Sequence, residues 1–286
     1  MLSQSFSKTS KGFLSSDLNL DHKSTYKMSV DTVSTQDEEV NHLLPDVNVR
    51  KFSLIQPEEN QIEEDSNDDQ LNHLFDIYQN LQVEEKNQEV LFPLKDYIKN
   101  QRFITKNMRK TLIEYLLEVV RNWNYSLKSY FTCIYILDSF LSKTECHFDV
   151  LQLVGITSLF IAAKFHEITP YGIDAYVFVC DGACNKEDIK SFEQRILHSI
   201  DFQVLSPTSL CFYEFLSTFC CFNEEEYYYG ENELVKCSTQ YEILQFSQSV
   251  IAEAAVLIIL ESLGRTIDFP FKDDSKICME IMMSQK

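Results

Sequence analysis

Between residue 70 and the end of the chain, apolar side chains recur at intervals of three and four, the spacing that gives a helix one apolar face. Leu71, Leu74, Phe75, Tyr78 and Leu81 form a first such set, which Asp68 or Asp69 can cap and which fades in Glu84-Glu85-Lys86. This predicts an amphipathic helix set apart from the main body, followed by a linker containing Pro93. Thr105 or Asn107 then opens a helix with Met108, Leu112, Tyr115, Leu116 and Val119 on one side. Short connections divide the following stretch into five predicted helices, 107–122, 126–142, 149–167, 171–180 and 186–200, as in a compact bundle.

The third of these, within Asp149 to Pro170, is apolar on nearly every side, so other helices must surround it. Asp149 is the expected cap, Phe148 the expected staple against Leu153, and Thr169-Pro170 the stop. Its polar exit, Lys164-Phe165-His166-Glu167, is the exception. A lysine in the last turn suits the helix dipole, and His166 reads as a surface histidine. Asn185 caps the fifth helix, and Ser206-Pro207-Thr208 starts a second helical unit. That unit is expected to contain Leu210 to Phe219, an acidic loop Asn223 to Asn232, then Leu234 to Phe246, Ser247 to Leu263, and a short segment Asp274 to Ser284. Ser249 to Leu260 echoes Val154 to Ala163 in character, which suggests a degenerate copy of the first unit.

Six glycines and six prolines are few for a turn-rich sheet protein, which supports an all-α class. Residues 1–67 mix polar residues at no regular period and read as a disordered acidic tail. Nine cysteines, an odd number with no CxxC pair, are expected to be free thiols in the reducing interior of a cell, in nucleus or cytoplasm. Cys180 and Cys184 lack the second ligand pair that a zinc site needs, so no metal or other cofactor is expected. No leader peptide or membrane span is expected. A net charge of -19 argues against a protein that grips nucleic acid. Catalysis is not expected either, because no phosphate-binding glycine loop occurs and the histidines have no motif-spaced partners.

Some polar residues sit inside otherwise apolar helices, where each is costly unless paired. Arg109 and Asp138 are expected to neutralise each other across two helices, while Lys164 and Glu193 are left to serve an outside partner.

The order of these residues resembles the cyclin box. Met108-Arg-Lys-Thr-Leu-Ile-Glu-Tyr-Leu-Leu-Glu-Val is similar to the family's MRxxLxxWLxEV opening, and Tyr135-Ile-Leu-Asp-Ser-Phe-Leu-Ser to its LxDRFLS. Leu151-Gln-Leu-Val-Gly through Ala163-Lys-Phe-His-Glu-Ile resembles LQLVG…ASKxEEI, and Phe178-Val-Cys-Asp with Lys186-Glu and Glu193-x-x-Ile-Leu resembles a stretch of A- and B-type cyclins. The resemblance covers roughly residues 70 to 265.

What the resemblance implies is two tandem cyclin folds. A tail over 1–67 and an N-terminal helix and linker over 68–105 would precede a first fold over 106–204 and a shortened second fold over 205–286. The implied function is the non-catalytic, activating subunit of a cyclin-dependent protein kinase of the cell cycle. By resemblance, Lys164 and Glu193 would bond the kinase near its C-helix, in a groove with Ile161, Phe165, Leu197 and Val204. Met108, Leu112, Tyr115 and Gln152 would dock RxL-type peptides of substrates or inhibitors. Thr111 and Tyr115 depart from the aliphatic residue and tryptophan usual there, and simple packing of that face is the competing reading. The alternatives are a cyclin of a transcriptional or nutrient-sensing kinase, or a cyclin-fold transcription adaptor.

Overall fold

A computed structural model describes residues 65–91, 95–267 and 269–284, in which helices α1 to α10 form two bundles with a long helix laid across the second. The acidic tail assigned to 1–67 lies outside the described residues except for its last three positions, which open α1.

The first bundle comprises α2 (Lys106–Asn122), α3 (Leu127–Lys143), α4 (Phe148–His166), α5 (Ile173–Val179) and α6 (Lys186–Ser199). Thr105, Ser126 and Asn185 cap α2, α3 and α6 through side-chain bonds to backbone N–H groups that the first helical turn leaves unpaired. The apolar α4 packs against α2, α3, α5 and α6. Leu151, Val154, Ile156, Leu159, Ala162 and Ala163 are all essentially inaccessible. Each large aliphatic buried in this way contributes about 1.5–3 kcal/mol. The α2–α4 crossing is close because position 155 is glycine: a Cβ there would lie 2.7 Å from Leu112 Cδ1.

The cap of α4 is not Asp149. His147 occupies that position and accepts from the Asp149 N–H at 3.5 Å, while Phe148 is the first helical residue and stacks on His147 with ring centroids 4.1 Å apart. Among the described residues α4 is the one helix long and apolar enough to cross a membrane, yet most of it is buried inside the bundle.

The second bundle contains α7 (Ser209–Phe219), α8 (Glu224–Ser238), α9 (Gln248–Leu263) and α10 (Asp273–Met283), with a 3-10 turn at Tyr241–Gln245. α9 occupies the place of α4 and packs against α7, α8 and α10. The acidic stretch expected to be a loop at 223–232 is instead the start of α8. Asn223 and Glu226 form a reciprocal capping box, and the three glutamates of the first turn suit the positive end of the helix dipole. The segment expected to run as one piece from Leu234 to Phe246 ends as α helix at Ser238.

The helix expected to stand apart, α1 (Asp65–Leu91), does not. It starts before Asp68, runs beyond Lys86, and packs on α7 and α9. Tyr78 is 3% exposed, stacked on Phe215 at 5.0 Å and edge-on to Phe212 and Phe269, and its hydroxyl donates to Glu253 at 2.7 Å. Glu85, which reads as part of a solvated end, is also buried, because its carboxylate accepts from the N–H and hydroxyl of Ser249.

Arg109 and Asp138 lie at the junction of the two bundles. The guanidinium donates to both carboxylate oxygens, at 2.8 and 2.6 Å, and to the Ser238 carbonyl of α8 at 3.3 Å. Tyr97 donates to the same carboxylate at 2.7 Å, and both charged side chains are 1% exposed. Burial at this depth is tolerated because opposite charge and good hydrogen-bond geometry compensate the lost hydration.

Candidate protein-docking site

Lys164 lies in the last turn of α4 and Glu193 two turns into α6. Packing of α4 on α6 brings them together, and the Lys164 ammonium donates to the Glu193 carboxylate. The ammonium also sits 4.3 Å from the ring centre of Phe160. Lysine remains 41% exposed and glutamate 19%, so the pair stands at the surface with its acid half sunk. Such a pair keeps spare hydrogen-bonding capacity: an ammonium has three protons and a carboxylate about four lone-pair sites.

The groove residues divide by depth. Phe165 is 55% exposed and Leu197 half-buried, whereas Ile161 and Val204 are buried. Sequence reasoning did not select Ile168, which is 92% exposed, or Tyr171, which is half exposed; both lie just past α4 beside Phe165 in the chain. No periodicity marks them, because they sit in the connection between helices.

That connection is fixed from behind. Glu167 accepts from the Ser126 N–H at 2.9 Å, from the Ser126 hydroxyl at 3.0 Å, and from the Ser129 hydroxyl, so the end of α4 caps the start of α3. His166, expected at the surface, is half-buried, and Nε2 is 2.9 Å from the Thr132 hydroxyl. Burial holds its pKa below the ordinary histidine value. The Tyr171 N–H donates to the Tyr125 hydroxyl at 2.7 Å, and Trp123, Tyr125, Tyr171 and Tyr176 form one aromatic cluster. The segment that follows Lys164 and Phe165 is thereby tied to the start of α3 and to the aromatic cluster.

A second surface lies along α2 and the start of α4. Met108, Tyr115 and Gln152 are half-buried. The Tyr115 hydroxyl donates to the Val179 carbonyl at 2.7 Å, and burial pushes its pKa up. Leu112 is fully buried against Gly155 and belongs to the core beneath this surface. Phe148, one turn before Gln152, extends the surface as an exposed aromatic stack with His147 and Phe103. Sequence reasoning singled out Phe148 only as a staple. Among the described residues no cluster of three or more His, Cys, Asp or Glu side chains is placed to hold a metal ion.

Residues 76–205 match the family described as Cyclin, N-terminal domain. The chain is 31% identical over 172 residues to the G2/mitotic-specific cyclin-A of Drosophila melanogaster, covering 59% of this chain and 34% of that protein. It is 30% identical over 213 residues to cyclin-A2-4 of Arabidopsis thaliana, covering 72% and 46%. The chain spans about half or less of the length of these curated relatives. The X-ray structure of a viral cyclin from herpesvirus saimiri shares the fold, with a TM-score of 0.64 at 16% identity over 73% of this chain and 96% of that one. Two helical bundles, the domain match over residues 76–205 and these relatives together support assignment of the chain to the cyclin family, beside A- and B-type members.

Proposed function

We propose that this chain is the regulatory subunit of a cyclin-dependent protein kinase of the cell cycle, without catalysis of its own, acting in the nucleus or cytoplasm. The observation that carries the reading is the Lys164–Glu193 pair at the α4–α6 junction, flanked by exposed Phe165 and Ile168. A kinase helix laid on this edge meets apolar surface for affinity and a charged pair for orientation. The mechanism is a population shift: the kinase is active only with its internal Lys–Glu ion pair assembled, and a partner that binds that arrangement more tightly favours it. Met108, Tyr115 and Gln152, with Leu112 beneath them, supply a second surface for RxL-type peptides. The A- and B-type relatives favour a cell-cycle kinase over a transcriptional one.

The test is reconstitution. The purified chain is mixed with each of a panel of cyclin-dependent kinases, and phosphorylation of a histone-type substrate is followed. At least one kinase should form a heterodimer with it and gain activity by an order of magnitude or more, while Lys164→Ala with Glu193→Ala loses both. Activation that the double variant retains would show that the docking edge lies elsewhere, and absence of binding to any kinase would remove the reading.

A further inference from the structure

At two places in the chain a hydroxyl residue precedes proline, Thr169-Pro170 and Ser206-Pro207. As sequence they are alike, since each punctuates a helix, but the fold separates them. Ser206-Pro207 leads directly into α7: Ser206 is partly buried, Pro207 is buried, and Thr208, at the cap position of α7, is buried as well. Thr169-Pro170 lies in the connection between α4 and α5, where every residue from Ile168 to Gly172 is exposed.

The exposed pair is also presented in a usable form. Proline at 170 drives the backbone of Thr169 away from the helical region into an extended one, and it brings no N–H of its own. Among the described residues no other main chain hydrogen-bonds to the backbone of Ile168 or Thr169. The connection is tied on either side of them, by the Glu167 carboxylate on Ser126 and by the Tyr171 N–H on the Tyr125 hydroxyl. A protein kinase needs a free hydroxyl on backbone that it can take up extended, because the accepting oxygen must come in line with the γ-phosphorus of ATP. Thr169 meets that requirement and Ser206 does not.

We propose that Thr169 is a phosphorylation site for a proline-directed protein kinase, and that its phosphate weakens docking at the neighbouring Lys164–Glu193 edge. In the transfer, the Thr169 Oγ bonds the γ-phosphorus of magnesium-bound ATP and the bond to the β,γ-bridging oxygen breaks. ADP leaves, and the hydroxyl proton passes to the modifying kinase's catalytic aspartate. The new group carries a charge of about -1.5 to -2 at pH 7. It falls between exposed Ile168 and Tyr171, five residues after Lys164, and the nearest charged side chain in the sequence is the Glu167 carboxylate, of the same sign. A helix laid on this surface would have to strip water from a dianion that no adjoining cation neutralises. The effect on docking rests on the proposed kinase-binding function, whereas the modification itself does not.

The experiment incubates the folded, full-length chain with magnesium, ATP and a proline-directed kinase that is active without a cyclin, then maps phosphate by peptide mass. Expected is one phosphate on Thr169 and none on Ser206. The wild-type map needs no variant, so it does not depend on one folding. A folded chain left without phosphate at Thr169 overturns the proposal, as does one modified at Ser206 instead. The phosphorylated and untreated chains are next titrated with a cyclin-dependent kinase that the untreated chain binds. The phosphorylated chain should bind about tenfold more weakly or worse, and kinase treatment of Thr169→Val should leave its binding unchanged. Equal binding by phosphorylated and untreated chains overturns the regulatory effect. If the untreated chain binds no cyclin-dependent kinase, the docking function fails and that effect with it, while the phosphate map still decides the modification.

Discussion

The Glu85 carboxylate on α1 caps the start of α9 from 164 positions away, accepting the Ser249 N–H at 2.7 Å and its hydroxyl at 2.6 Å. Ser247, the residue at the cap position, makes no side-chain capping bond of its own. Two further carboxylates work the same way: Glu253 accepts the Lys272 N–H and the Ser275 hydroxyl at the start of α10, and Glu167 serves the start of α3. Each supplies an acceptor to unpaired N–H groups and negative charge at the positive end of a dipole.

Glu85→Ala should therefore lower unfolding free energy by about 3 kcal/mol, since it strands two buried donors. Glu85→Gln, which keeps an acceptor, should lose less. Urea denaturation measures both, and unchanged midpoints for both variants would show that α1 does not hold α9 in solution.

At the bundle junction, Arg109→Met leaves the Asp138 carboxylate buried without its counter-charge and should cost about 3–5 kcal/mol. Arg109→Met with Asp138→Leu should recover much of that loss, because no charge then remains in the interior. A double variant as unstable as the sum of two singles would mean that the two side chains act separately.

Gly155→Ala should destabilise by about 1–3 kcal/mol through overpacking against Leu112. Trimming the opposing side chain should relieve the clash, so Gly155→Ala combined with Leu112→Ala ought to fall well short of additive. Additivity in thermal melts would rule out the close α2–α4 approach.

Removing the Lys164–Glu193 pair should separate binding from folding. Both side chains reach solvent, so Lys164→Ala or Glu193→Ala should change stability by no more than about 1 kcal/mol while activation of a partner kinase falls. Circular dichroism and a kinase assay on the same samples decide this, and a large loss of helicity would assign the pair to the fold instead.

His166 predicts a pH dependence. Its folded pKa lies below the unfolded value of about 6.5, so the unfolded chain binds the proton more readily. The contribution to stability is complete above that value and is lost as pH falls through it toward the folded pKa. Urea midpoints at pH 7.5 and 5.5 should therefore differ less in His166→Gln than in the wild type. An equal drop in both would assign the acid sensitivity to other groups.

Much of the fold is written in local patterns. A helix apolar on all sides must be surrounded, which marked α4 as the centre of its bundle, and α9 carries the same signature. Arg109 and Asp138 stood out because charge inside an apolar run requires a partner, and Lys164 and Glu193 stood out as polar exceptions in an ordered set of motifs. Local pattern misleads where a charged run has two readings. Glu224 to Glu226 read as a loop, although Asn223 and Glu226 make the reciprocal cap that starts a helix. Glu85 read as a solvated end, and only the approach of Ser249, 164 residues later, made a carboxylate acceptable in the interior.

Sequence by itself determined most of the helical segments, which of them are central, and which polar residues need an explanation, because helical period and the cost of burying charge act within a few residues. Tertiary structure alone decided that Lys164 faces Glu193, that Ile161 and Val204 are buried and Ile168 is exposed, and that α1 is clamped to the second bundle. Those relations depend on how helices cross, which is set by the summed packing of residues far apart in the chain.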